Sequence, residues 1–71
     1  MHTVSRRMTI TITKKTKAGA FVHMLCPITK IESLWLNDKY LEWSEYTYNS
    51  QFISIPLVLN PGDVILIEYT D

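Results

Sequence analysis

Along much of this chain, apolar and polar residues alternate with a period of two. Val4, Met8, Ile10 and Ile12 interleave with Arg7, Thr9, Thr11 and Thr13. That is the pattern of a strand with one buried face, and its β-branched content suits it. Lys14 to Gly19 reads as a charged turn closing on glycine. Ala20 to Cys26 reads as a second strand, apolar on both faces except at His23, and Pro27 ends it by withholding a ladder donor. Ile28 to Trp35 is open to two readings. Ile31, Leu34 and Trp35 suit a helical turn, whereas Leu34-Trp35-Leu36 suits a strand running into a turn. The strand is preferred because Asn37-Asp38 suits a two-residue hairpin loop, and these residues tolerate the positive φ such a loop needs.

From Leu34 to Tyr69 the pattern predicts one continuous meander of four short strands and three tight turns. Tyr40 to Trp43 returns from the hairpin, and Glu45 to Tyr48 leads to a turn at Asn49-Ser50. Phe52 to Leu59 forms a long strand with Ile53, Ile55, Leu57 and Leu59 on one side, and Pro56 directs its amide side to an edge or bulge. Asn60-Pro61-Gly62-Asp63 predicts a type II turn, proline presetting φ at its second position and glycine supplying positive φ at its third. Val64 to Tyr69 is apolar on both faces until Glu68, as in a strand that is central or covered by a partner. The expected fold is all-β, a small antiparallel β-sandwich or partly open barrel of about six to seven short strands. It forms a single domain over residues 1–71, with residues 1–6 as a flexible or partner-docked arm.

Size narrows how such a fold is stabilised. Seventy-one residues lie near the lower end of what one core can hold together. Chains this short often rely on disulfides, a metal or oligomerisation. Cys26 is the only cysteine, so no internal disulfide forms, and with His2 and His23 as the only histidines a structural zinc site lacks ligands. Oligomerisation is the route left open. The composition, 46% hydrophobic with two glycines and three prolines, is that of a folded domain. No apolar run approaches the roughly 18 residues of a membrane span, and the N-terminus lacks an apolar signal core. The expected location is the cytoplasm, or a particle assembled there.

The net charge is zero, but its distribution is lopsided. Arg6, Arg7, Lys14, Lys15, Lys17 and Lys30 precede any acid, while Glu32, Asp38, Glu42, Glu45, Asp63, Glu68 and Asp71 follow with Lys39 alone against them. Either the basic first strand pairs across a sheet with the acidic C-terminal ones, or a basic edge meets an acidic surface on a neighbour. Nucleic acid is not an expected partner, because no aromatic-interleaved basic surface forms.

The C-terminal half carries a family resemblance. Leu36, Asn37 and Leu41 precede Glu45-Tyr46-Thr47, then Ile53 and Ile55, then Leu59, Gly62, Asp63, Ile65, Ile67 and Tyr69. This order resembles a small β-sandwich module of bacteriophage virion proteins, found in head fibres, decoration proteins and tail-associated proteins. Asp38 stands where that pattern usually has a turn glycine, and Glu45 where it has aspartate. The resemblance implies particle architecture: a virion structural protein, not an enzyme, whose partners are the major capsid protein or portal and tail components. Capsid decoration is the preferred role, and a tail, neck or fibre adaptor or host-glycan-binding module is the alternative.

Candidate chemistry is sparse. His23 and Cys26, spaced HxxC, fall on opposite faces of a strand, so no metal site is expected. No local signature supplies Cys26 with a base and an oxyanion hole, so no nucleophile is expected either, and no cofactor. His23 is read as outward-facing and Cys26 as a small buried hydrophobe. Glu42 and Glu45 read as solvated turn residues. The aromatics Trp35, Tyr40, Trp43, Tyr46 and Tyr48 cluster around the hairpin. Trp35 or Trp43 could fill the core with Tyr46, some of the rings could anchor a protein interface, or exposed rings could stack on a glycan. The expected partner-binding residues are Arg6, Arg7, Lys14, Lys15, Lys17, Trp35, Tyr40 and Trp43.

Overall fold

The computed structural model describes residues 5–70. The N-terminal alternation becomes β1 (Ser5–Thr11), with Met8 and Ile10 buried and Arg7, Thr9 and Thr11 exposed. Val4 and the rest of residues 1–4 lie outside the described residues. Of the arm expected over residues 1–6, Ser5 and Arg6 belong to β1. Six further strands follow: β2 (Phe21–His23), β3 (Lys30–Leu36), β4 (Lys39–Leu41), β5 (Thr47–Tyr48), β6 (Phe52–Ser54) and β7 (Val64–Thr70). They form two antiparallel sheets, one in the order β1-β7-β3-β4 and the other β2-β6-β5. The fold is therefore all-β with two layers, and the sheets do not close into a barrel.

Turn chemistry fixes the local geometry. Asn37 and Asp38 adopt φ of 51° and 68°, the left-handed values that a type I′ loop needs at both positions. Asp63 N–H donates to the Asn60 carbonyl at 3.0 Å and Gly62 has φ of 95°, as a type II turn requires. The ambiguous segment is a strand, and the pairing explains why it looked helical. Ile31 pairs with Tyr69 and Ser33 with Glu68, so Glu32 is an extra residue in a β-bulge. The bulge lets Ile31 and Leu34, three residues apart, both face the core.

Sequence neighbours do not all become sheet neighbours. The 3-10 turn Trp43–Glu45 leads from β4 in the larger sheet to β5 in the smaller one. The segment after β6 then leads back to β7. The expected continuous meander is thus two separate hairpins, β3–β4 and β5–β6, in different layers. Trp43 sits in the turn between them and not on a returning strand. The long strand expected over Phe52–Leu59 stops at Ser54, because Pro56 has no N–H to extend a ladder. Leu57, at 47% exposure, does not share the buried side of Ile53, Ile55 and Leu59. The strand expected over Ala20–Cys26 likewise has only three residues, beyond which Met24 turns inward.

The core between the layers is aliphatic. Leu34, Ile65 and Ile67 from the larger sheet and Ile53 from the smaller are fully buried, each worth roughly 1.5–3 kcal/mol relative to exposure. β7 is an interior strand of its sheet, flanked by β1 and β3, which accounts for its apolar residues on both faces. Ile65, Ile67 and Tyr69 point inward, and Val64 and Leu66 are half-buried on the outer face. Neither tryptophan fills the core. Of the hairpin aromatics Tyr46 is buried, while Trp43 is 79% exposed and Trp35 half-buried. Cys26 is exposed as well, contrary to its reading as a buried hydrophobe; its Sγ lies 3.3 Å from the Tyr69 hydroxyl.

Candidate interaction surfaces

The register of the larger sheet places one row of side chains across all four of its strands. Thr9 faces Leu66, Leu66 faces Trp35, and Trp35 faces Tyr40. The Trp35 and Tyr40 rings meet edge to face at 5.8 Å, a favoured aromatic geometry. The adjacent row is polar. Arg7 Nε lies 3.5 Å from Glu68 Oε2, and Ser33 Oγ donates to Glu68 Oε1 at 3.3 Å. The basic first strand and acidic last strand therefore do pair across the sheet at this point. Arg7 is well exposed, so the contact contributes less than about 1 kcal/mol. The outer face is a half-covered apolar strip with a charged border.

Trp43 lines a different feature. An open cleft of about 610 Å³ is bounded by Lys30, Ile31, Trp43, Ser44, Tyr46, Thr47 and Tyr48. The turn that carries Trp43 is braced by Glu45 Oε2, which accepts from Glu42 N–H at 2.8 Å. Tyr48 Oη accepts from Ile31 N–H at 3.1 Å, satisfying a backbone donor of β3 where the short β4 does not reach. Burial first, and then the nearby Tyr48 and Tyr40 phenols, hold the Tyr46 hydroxyl above its usual pKa. The cleft thus offers the exposed rings of Trp43 and Tyr48, the aliphatic hydroxyls of Ser44 and Thr47, and the Lys30 cation.

The basic residues do not form one surface. Arg6 and Arg7 lie near the start of β1, while Lys14, Lys15 and Lys17 follow its other end, and the strand from Ser5 to Thr11 itself spans about 20 Å at strand rise. Lys15 and Lys17 flank Thr16, which bridges to Leu59, and with Ala18 and Val58 they line a depression of about 410 Å³. Sequence reasoning missed a second aromatic group, on the outer face of the smaller sheet. Phe52 meets Phe21 at 6.2 Å and His23 at 5.0 Å, both edge to face. Phe21 and Leu25 are 71% and 72% exposed. Alternation could have signalled this group, since Phe21 and His23 share a parity opposite to Val22.

None of the family models, curated proteins or solved structures compared with the chain matches it. Its chemistry is therefore read from its own surfaces. Those surfaces offer apolar and aromatic contact area, with charge at the borders. His23 and Cys26 both line a hollow of about 70 Å³ with Met24, Leu25, Pro27 and Gln51. Among the described residues, no three His, Cys, Asp or Glu side chains converge as metal ligands would.

Proposed function

We propose that this protein is a structural component of a bacteriophage particle, present in many copies and docked on the capsid or another virion protein. The observation that carries the interaction role is the amount of apolar side chain left outside a closed core. Phe21, Leu25, Tyr40, Trp43, Tyr48, Leu57 and Val58 are all exposed, on a domain whose aliphatic interior is already complete. Trp and Tyr concentrate in the energetic centres of protein interfaces, and Trp43 and Tyr48 stand exposed in one cleft. The particle assignment draws on the resemblance of the C-terminal half to virion β-sandwich modules. Both turns in that half adopt the geometry their own residues predict, and Asp38, where the pattern usually has glycine, takes positive φ.

In this reading the domain acts by cementing. Each copy buries a modest patch at a subunit junction, and many copies multiply the effect through avidity. The head surface is the preferred location, and the role is structural rather than catalytic. Co-sedimentation of the purified chain with particles tests the proposal. Retention on the particle is the expected outcome, and a chain with no affinity for any virion component overturns it.

The Trp43 cleft favours one alternative, a host-glycan-binding module. Exposed rings of Trp43 and Tyr48 beside the Ser44 and Thr47 hydroxyls suit a sugar's apolar face and its hydroxyl rim. A glycan array comparing the wild type with Trp43→Ala separates the two readings. Only the glycan reading expects sugar binding that the substitution removes.

A further inference from the structure

Sheets in small proteins usually blunt their edges, because unpaired N–H and C=O groups recruit other strands. Most edges here are blunted. β4 and β2 have three residues each and β5 two. Where β4 stops short, the Tyr48 hydroxyl takes the Ile31 N–H at 3.1 Å. β1 is different. It is a seven-residue edge strand, free of proline, and its register with β7 runs without a bulge.

The hydrogen bonds show which of its backbone groups face outward. Ile12 N–H donates to the Asp63 carbonyl and Gly62 N–H to the Ile12 carbonyl, both at 2.8 Å, so Ile12 directs both its backbone groups toward the β7 side. Antiparallel alternation then turns Met8 and Ile10 toward β7, and Ser5, Arg7, Thr9 and Thr11 toward the open edge. Val64 supports the same parity from the other side. Its carbonyl accepts from Asn37 N–H and its N–H donates to Asn37 Oδ1, both at 2.9 Å, so it offers nothing to Thr11 opposite. All four outward-directed residues are exposed.

We infer that β1 pairs with β1 of a second copy, antiparallel about a two-fold axis centred on Met8. In that register Ser5 lies opposite the partner's Thr11 and Arg7 opposite the partner's Thr9, each pair exchanging both backbone bonds. All four outward residues are used. Shifting the centre to Arg7 sets two arginines directly opposite, which is unfavourable. Shifting it to Thr9 carries Ser5 past the end of the partner's strand. The Met8 register keeps each Arg7 beside its own Glu68, 3.5 Å away, and continues the larger sheet across the axis. A chain with zero net charge brings no overall repulsion to the pairing.

The pairing does not depend on the virion reading, and its test uses the full chain alone, so either idea can fail without the other. Sedimentation of the wild type over a wide concentration range is expected to show a monomer converting to a dimer. Thr9→Pro removes an outward N–H and is expected to abolish the dimer while circular dichroism retains the β signal. Ile10→Pro removes an N–H directed at β7 and is expected to disrupt the fold itself. Amide hydrogen exchange needs no variant. Arg7, Thr9 and Thr11 should gain several-fold protection as concentration rises, while Met8 and Ile10 are protected throughout. A wild type that stays monomeric at millimolar concentration overturns the inference. So does a dimer that leaves the Arg7, Thr9 and Thr11 amides exchanging freely, or an edge protected only by a strand from a different protein.

Discussion

At the scale of single residues, Asn37 has the widest reach. It takes the first left-handed position of the hairpin loop, with φ of 51°. Its side chain also ties that loop to the turn at Asn60–Asp63: Nδ2 donates to Asp63 Oδ1 at 3.1 Å, and Oδ1 accepts from Val64 N–H at 2.9 Å. Two substitutions separate these roles. Asn37→Gly keeps the backbone free to adopt positive φ and loses only the side-chain bonds, so it should cost about 1–3 kcal/mol. Asn37→Ala adds left-handed strain of about 1 kcal/mol or more, and denaturant unfolding of both variants measures the difference. Asp63 makes the same network sensitive to pH. The hydrogen bond from Asn60 N–H, and then that from Asn37, hold its carboxyl below the ordinary aspartate value. A depressed folded pKa gives stability that is present above the unfolded value and lost as pH falls through the folded one. Wild type should therefore lose stability below about pH 4, and Asp63→Asn should flatten that acid limb in thermal melts at a series of pH values. Each turn was legible in the sequence from its own residues. The bond between them was not, because it joins positions 26 apart and no local pattern encodes it.

At the scale of elements, short-range chemistry was readable wherever it acts within one strand or loop. The alternation of β1, the Asn37-Asp38 loop and the apolar character of β7, read as central or partner-covered, all followed from it. Layer switching did not. Nothing local marks Trp43–Glu45 as the point where the chain leaves one sheet for the other, so two hairpins in separate layers read as one meander. The β3 bulge misled in a related way, since an extra residue at Glu32 turns period-two spacing into the three-residue gap between Ile31 and Leu34. That strand also depends on Tyr48. Its hydroxyl serves the Ile31 N–H beyond the reach of β4, a bond that no sequence pattern announces. Tyr48→Phe keeps the ring and removes the acceptor. It should cost about 1 kcal/mol, and hydrogen exchange should report faster loss at the Ile31 amide with little change at Ile65 or Ile67.

At the scale of the whole molecule, the division between core and surface separates stability from function. The candidate site was legible only in part. Trp35 and Tyr40 do meet, but Trp43 lies in a cleft of its own, and the basic residues divide between the two ends of β1. Phe21 joins the exposed apolar set, its ring against the half-buried Phe52, because β2 and β6, distant in sequence, pair in the smaller sheet. A domain of this size has a folding free energy of about 4–10 kcal/mol at the usual stability per residue. Ile67, fully buried on the interior strand β7, should lose about 2–5 kcal/mol on substitution by alanine. Ile67→Ala therefore threatens the fold, and any loss of binding in it would carry no information about the surface. Trp43 is the opposite case. At 79% exposure its truncation leaves no cavity, so Trp43→Ala should melt within a few degrees of the wild type. If the cleft anchors a partner, that same variant should lose retention on particles in co-sedimentation. Phe21→Ala probes the smaller sheet by the same comparison. A variant that keeps its melting temperature and loses its partner marks the docking face, whereas Trp43→Ala and Phe21→Ala both binding as wild type would exclude these two surfaces.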